Sequence, residues 1–328
     1  MRLRYAVKYQ EILQMKNIAI IGAGTMGHGI ALAFSAGGYH VAVNDISPEM
    51  LKRAEALNEG NVRTLAEAGV INPEEIAEIL HERIRYTGDL ADAVSDADLV
   101  IEAIAEQAAV KKEMFGKLDA LAKPTAILAS NTSFLDIFKF VETGRPDKVI
   151  ITHWFAPPHI IPLVEIVKGP ETSEETVMKT EKVLNGIGKD TIVLDTFLPG
   201  FLVNRLQSAI TMEVYYLLDN GYATPDDIDT VAKASLGLRT PILGLVRRMD
   251  YNGLDLVQRN LLNKSYERPA WPGHSESLDI LVSEGKYGVK SGQGFYDYRD
   301  KSLEETLRER DIKLLRLKRF LDELEKSV

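Results

Sequence analysis

The stretch NIAIIGAGTMGHGIALAFSAGGYHVAVND, from Asn17 to Asp45, restricts the possible folds more than any other part of the chain. Gly22, Gly24 and Gly27 form a G-x-G-x-x-G directly after an apolar run and at the start of a helix-like run. In that setting the first glycine permits a tight turn and the second lets a pyrophosphate approach the backbone. The third lets helix and strand pack closely. The helix start then offers N–H groups and positive potential to phosphate oxygens. Asp45 ends the next strand-like run, where a carboxylate can accept hydrogen bonds from the ribose hydroxyls of NAD and repel the extra phosphate of NADP. The segment therefore predicts an NAD site built from Gly22, Gly24, Thr25, Met26, Gly27 and Asp45.

The surrounding pattern predicts an α/β fold: a Rossmann-type doubly wound parallel sheet followed by a mainly α-helical C-terminal domain. NIAII, HVAVND, DLVIEAI, AILASN and KVIITHW are nearly continuous apolar runs, as strands buried on both faces must be. Helical segments separate them, and one opens with Ser47 as N-cap and Pro48 at the first helical position. Strand and helix in alternation mean βαβ units. Pro199 and Gly200 mark a boundary, after which the segments become long and helical. The expected domains are an arm over 1–15, an NAD-binding domain over 16–198, a helical substrate and dimerisation domain over 199–300, and a terminal amphipathic helix over 301–328. In that last helix Leu307, Leu314 and Leu321 recur every seven residues. Such a helix packs on its own domain or meets another subunit.

Composition narrows the function. With 328 residues and 45% hydrophobic residues the chain can bury two cores. A formal charge of −9 argues against nucleic acid as the main partner. No apolar run reaches the ~18 residues of a membrane span. The chain has no cysteine, hence no disulfide, thiolate metal site or Cys nucleophile, and an intracellular, cytoplasmic setting is expected. The first fourteen residues resemble neither a signal nor a transit peptide, and Met15 is an alternative start. The six histidines do not cluster with carboxylates, so no metal site is expected.

Four segments place polar residues where strands or helices end: EAIAE (102–106), SNTS (130–133), HWFAPPHIIPLVE (153–165) and GFLVNRL, around Asn204. Ligands of open α/β sheets bind beyond the carboxyl ends of strands. Oxidising an alcohol requires a hydride acceptor and a base with a pKa near the working pH. His153 meets the second need, and Glu165, twelve residues later, is a candidate to orient its ring. Ser133 and Asn204 could hydrogen-bond the reacting oxygen. Singly, each has an ordinary explanation: a structural histidine beside Trp154, a surface ion pair, a turn serine, a helix cap. Their joint order and spacing favours the chemistry.

The segments GAGTMGHGIA, EAIAE, ASNTS, PLVEIV, PGFLVNR and GVKSGQGFYDY together resemble the 3-hydroxyacyl-CoA dehydrogenases and their relatives acting on free 3-hydroxy acids, L-gulonate dehydrogenase (lambda-crystallin) and L-carnitine dehydrogenase. The resemblance runs from about Lys16 to Tyr298. It implies an NAD-binding Rossmann domain and a helical domain that forms a homodimer. The family's catalytic histidine falls on His153, its partner glutamate on Glu165, and its substrate-contacting serine and asparagine on Ser133 and Asn204. A glutamate near the nicotinamide ribose falls on Glu106, and its nearby lysine on Lys111.

Two departures bear on the substrate. HWFAP stands where the family usually reads H-F-F-N-P, so Ala156 replaces an amide that would face the site. The hairpin NVRTLAEAGVINPEE carries only Arg63 where acyl-CoA members tend to place lysines against CoA phosphates. Arg239, in LGLRTPILGL, resembles the free-acid relatives, where an arginine could hold a carboxylate bidentately; an interdomain or dimer ion pair is its other explanation. Three functions follow in order: an NAD-dependent 3-hydroxyacyl-CoA dehydrogenase, a dehydrogenase of a free 3-hydroxy acid anchored by Arg239, and a catalytically retired NAD-binding protein.

Overall fold

In a computed structural model the described residues are 15–263 and 273–327; the N-terminal arm up to residue 14 lies outside them. Eight strands form one sheet: β1 (Asn17–Ile21), β2 (His40–Asn44), β3 (Ile84–Thr87), β4 (Leu99–Glu102), β5 (Ile127–Ser130), β6 (Val149–Trp154), β7 (Leu163–Lys168) and β8 (Asp190–Leu194). Their order is β3-β2-β1-β4-β5-β6-β7-β8. All neighbours pair in parallel except β6 and β7. The sheet is therefore the expected doubly wound one over β1 to β6, with β7 and β8 running the other way. Only residues 155–162 join β6 to β7, too few for the dozen or so that a parallel crossover needs.

Period-two alternation divides the inner strands between two cores. Ile18, Ile20, Leu99 and Ile101 face Ile30 and Phe34 of α1 (Gly27–Ala36) on one side. Ala19, Ile21 and Val100 face Phe115 and Leu118 of a helix spanning Ala108–Leu121 on the other. Because both faces are covered, the strands read as continuous apolar runs. The helix Pro48–Glu67 starts as predicted: Ser47 Oγ accepts the Met50 N–H at 3.2 Å, with Pro48 in its first turn.

By its contacts the chain divides into two units. Asn204 is the last residue of the sheet-bearing unit before the boundary, and Asp311–Arg316 belong with that unit. There Leu315 joins a small core with Leu32, Val62, Leu65, Ile79 and Ile160. The second unit is helical, with helices that include Pro225–Val231, Gly237–Leu243, Val246–Asn252, Leu254–Asn263 and Glu276–Ser283. Side chains cap several of its helix starts, Ser302 at the start of Leu303–Ser327 among them, its hydroxyl accepting the Glu305 N–H at 3.1 Å. Thr224 and Asp227 form a reciprocal capping box, and Ser275 accepts the Leu278 N–H at 3.4 Å while its hydroxyl donates to Asp219 at 3.0 Å. The terminal helix spans Leu303–Ser327. Among the described residues no helix is long and apolar enough to cross a membrane, and no group of three or more histidines or carboxylates is placed to hold a metal ion.

Candidate active site

The glycine turn lies where the strand order reverses, between β1 and β4. Gly22 has φ +103°, and a Cβ there would stand 2.7 Å from the Ala103 carbonyl oxygen beyond β4. A Cβ on Gly27 would meet the Gly22 carbonyl oxygen at 1.8 Å, so this glycine sets how closely α1 packs on the turn. Gly24 differs, because a Cβ there would meet nothing within 4 Å. The space above Gly24 is thus open, as a backbone that must admit a pyrophosphate requires. No side chain caps α1, whose first turn follows Thr25 and Met26 directly. Asp45 stands half-buried beyond β2; Oδ2 accepts the Ala23 N–H at 2.9 Å and Oδ1 the Ser47 N–H at 3.0 Å. Its carboxylate thus also braces the glycine turn.

The reversal of β7 creates the second half of the site. In the antiparallel register His153 stands directly opposite Glu165, so both side chains leave the same face of the sheet. A slip of one residue would send the glutamate to the other face. His153 Nδ1 and Glu165 Oε2 lie 2.8 Å apart, with side chains 4% and 0% exposed. Glu165 Oε1 accepts the N–H groups of Leu202, at 2.8 Å, and Val203, at 3.0 Å. Burial would push this carboxyl up. The hydrogen bond from His153 and those two N–H groups outweigh it and hold the group below the usual carboxylate value. An ionised carboxylate only accepts hydrogen bonds, so Nδ1 is the donor to Glu165, and in the neutral imidazole the lone pair falls on Nε2. The Phe155 ring packs edge-on to the imidazole at 4.5 Å, and the Phe201 ring lies tilted against it at 5.1 Å.

A third cluster joins β4, β5 and the helix Ala108–Leu121. Glu102 is fully buried; Oε1 accepts the Lys111 ammonium at 2.6 Å and the Ile104 N–H at 2.8 Å, and Oε2 accepts the Ser130 hydroxyl at 2.6 Å. Lys111 Nζ also lies 3.2 Å from Glu106 Oε2. Glu106 Oε1 accepts the Thr132 hydroxyl at 2.5 Å and the N–H groups of Ser133, at 2.9 Å, and Phe134, at 3.1 Å. Burial would raise the Glu106 carboxyl, but Thr132, the Lys111 charge and the two N–H groups together hold it low. Asn204 Nδ2 in turn donates to the Ser133 carbonyl at 3.2 Å.

Ser133, Asn204, Glu106 and Lys111 thus form one connected set, and His153 and Glu165 another. The Asn131 side-chain oxygen, accepting the Trp154 N–H at 3.0 Å, ties the serine loop to the end of the histidine strand. Arg239 belongs to the helical unit. It is exposed, and its guanidinium donates to the carbonyl of Ser235 at 3.1 Å and to its hydroxyl at 2.7 Å. Sequence reasoning passed over Glu102, Thr132, Asn131 and Phe201. The signal available for Glu102 was a carboxylate ending an otherwise apolar strand, nine residues before a lysine.

Known proteins match this architecture over nearly the whole chain. The model for the 3-hydroxyacyl-CoA dehydrogenase NAD-binding domain matches residues 17–196, and the model for the C-terminal domain of the same family matches residues 200–298. The chain belongs to the 3-hydroxyacyl-CoA dehydrogenase family. It is an oxidoreductase of that family, and its cofactor is NAD. It is 36% identical to the mitochondrial hydroxyacyl-coenzyme A dehydrogenase of Homo sapiens over 294 residues, which cover 87% of this chain and 92% of that one. It is 32% identical to the 5-formyl-3-hydroxy-2-methylpyridine 4-carboxylate 5-dehydrogenase of Mesorhizobium japonicum over 315 residues, 94% of this chain and 99% of the other. A crystal structure of a dehydrogenase of that same pyridine carboxylic acid, described as an NAD+-dependent dismutase, superposes with a TM-score of 0.83 at 31% identity, covering 94% and 99% of the two chains. The family's cofactor fits the open space over Gly24, the uncapped start of α1 and the carboxylate of Asp45.

Proposed function

We propose that the chain oxidises the 3-hydroxyl of a 3-hydroxyacyl-CoA, such as 3-hydroxybutyryl-CoA, to the 3-keto product, with His153 as general base oriented by Glu165. The observation that carries this reading is the buried 2.8 Å contact between His153 Nδ1 and Glu165 Oε2, with the other carboxylate oxygen occupied by two backbone N–H groups. Glu165 therefore holds the imidazole in one tautomer, with Nε2 ready to take the hydroxyl proton. The resulting imidazolium forms beside a carboxylate in a region of low dielectric, which favours proton transfer to it. Ser133 and Asn204 hydrogen-bond the reacting oxygen. When bound, the nicotinamide of NAD supplies the hydride acceptor. Gly22, Gly24, Thr25, Met26 and Gly27 receive the cofactor, and Asp45 selects NAD over NADP. Glu106 and Lys111 serve the nicotinamide side while bracing the serine loop.

A second reading has a specific observation behind it. The hairpin expected to meet CoA phosphates has Arg63 as its one basic residue, and a relative matching 94% of the chain is named for a free pyridine carboxylate. In that reading Arg239 leaves its contacts with Ser235 to hold the substrate carboxylate. NADH formation from 3-hydroxybutyryl-CoA, free 3-hydroxybutyrate, L-gulonate, L-carnitine and 5-formyl-3-hydroxy-2-methylpyridine 4-carboxylate separates the two. Turnover of the thioester alone supports the first reading, and turnover of a free acid alone replaces it with the second.

The working form is a homodimer formed through the helical unit. Supporting this, Leu206, Ile210, Leu238, Ile242, Val246 and Leu262 are exposed there in the single chain. Monomers throughout the micromolar range in sedimentation velocity would overturn it.

A further inference from the structure

Among the described residues Phe201 alone combines a side chain with a left-handed backbone, at φ +49°, and it follows Gly200 at φ +78°. A Cβ makes that conformation unfavourable, so a bulky residue persists there only where its surroundings impose it. Phe201 N–H donates to the Leu198 carbonyl at 2.8 Å and closes the turn. Directly beyond it, the N–H groups of Leu202 and Val203 both reach Glu165 Oε1, at 2.8 and 3.0 Å. Successive N–H groups that converge after a left-handed residue make an anion-holding concavity, and here the anion is a side chain of the same unit. The Phe201 ring is fully buried, tilted 53° to the imidazole of His153 at 5.1 Å and edge-on to Phe197 at 5.7 Å. Glycine would meet the backbone requirement, but only an aromatic residue meets it while covering the imidazole.

We propose that Phe201 is a positioning residue for the reaction: its left-handed turn aims two N–H groups at Glu165 while its ring fixes the imidazole that Glu165 orients. This rests on the reading of His153 as the base. The titratable side chain in contact with Glu165 is His153 on β6; the register neighbour of Glu165 on β8, Ile192, is uncharged.

The test is the titration midpoint of Glu165, followed by 13C NMR of glutamate side-chain carboxyls in the full-length protein with NAD and assigned with Glu165→Gln. Val203→Pro removes one N–H donor at the first helical position, where proline is tolerated. Phe201→Val disfavours the left-handed turn, and Phe201→Gly keeps the turn but removes the ring. The expected result is a midpoint raised by about half a pH unit or more in Val203→Pro and Phe201→Val, and unchanged in Phe201→Gly. Phe201→Gly should instead lower kcat about tenfold or more with KM for NAD unchanged. An unmoved midpoint in Val203→Pro overturns the proposal, even if Phe201→Val fails to fold. So does a Phe201→Gly enzyme with full kcat. Turnover by His153→Gln would instead refute the base assignment, leaving the midpoint result to stand alone.

Discussion

Replacing Lys111 by methionine breaks the buried ion pair that underlies the serine loop, together with the 3.2 Å contact to Glu106. Lys111 Nζ stands 2.6 Å from Glu102 Oε1 with both side chains at or below 1% exposure. Without the ammonium, Glu102 keeps two donors, the Ile104 N–H and the Ser130 hydroxyl, but stays a buried charge with no counter-ion. Breaking such a pair from one side costs roughly 3–5 kcal/mol. With a urea slope of about 2–3 kcal/mol per molar, the midpoint should fall by on the order of 1.5 M. Trp154, which is buried, reports this unfolding by fluorescence in a Trp271→Phe background. Lys112→Met is the internal control: its pair with Glu142 lies at 2.5 Å but in solvent, and its loss should cost less than about 1 kcal/mol. Adding Glu102→Gln to Lys111→Met removes the stranded charge and should recover at least about 1 kcal/mol. If Lys111→Met shifts the midpoint no more than Lys112→Met, the pair does not hold this part of the fold and the reasoning fails.

Three further outcomes are expected. Gly24→Ala should fold with wild-type stability yet bind NAD at least ~10-fold more weakly, since a Cβ there meets no protein atom and enters the open space; Gly27→Ala should lose stability as well, because its Cβ would stand 1.8 Å from a carbonyl oxygen. Calorimetry with and without NAD checks both. Asp45→Asn should narrow the preference for NAD over NADP by roughly tenfold or more in kcat/KM, and an unchanged ratio would remove Asp45 from cofactor selection. Stability should also fall in acid. Glu165 and Glu106 are held below the usual value in the folded chain, so the unfolded chain binds protons first. Their stabilisation is complete above the unfolded value near ~4.3 and is lost as pH falls through the lower folded values. Urea midpoints from pH 7 to 3 should show that loss, and less of it in Glu165→Gln.

The glycine turn was legible because three glycines at that spacing, after a strand, answer to backbone geometry that other residues cannot adopt. The strands buried on both faces were legible for the same kind of reason, since only apolar residues can fill two cores. β3 was not recognised: Ile84–Thr87 is an edge strand with one buried residue in four, so its pattern does not stand out. The direction of β7 is not encoded in its apolar run, although the short 155–162 connection carried that information. Lys111 was named from the family resemblance, but its pairing with Glu102 was hidden because a buried ion pair depends on three-dimensional proximity, which side-chain periodicity does not express. Phe201 was hidden for the opposite reason. Local propensity argues against a left-handed phenylalanine, and only the surrounding contacts with Glu165 and His153 impose one.

The most direct test of the account is single-turnover hydride transfer in His153→Gln, with NAD affinity measured on the same preparation. Absorbance at the NADH band should rise at least ~10³-fold more slowly than in the wild type while NAD binds with unchanged affinity, because the proton acceptor is gone and the glycine turn is intact. Hydride transfer at the wild-type rate would contradict the assignment of His153 as base, and with it the role given to Glu165.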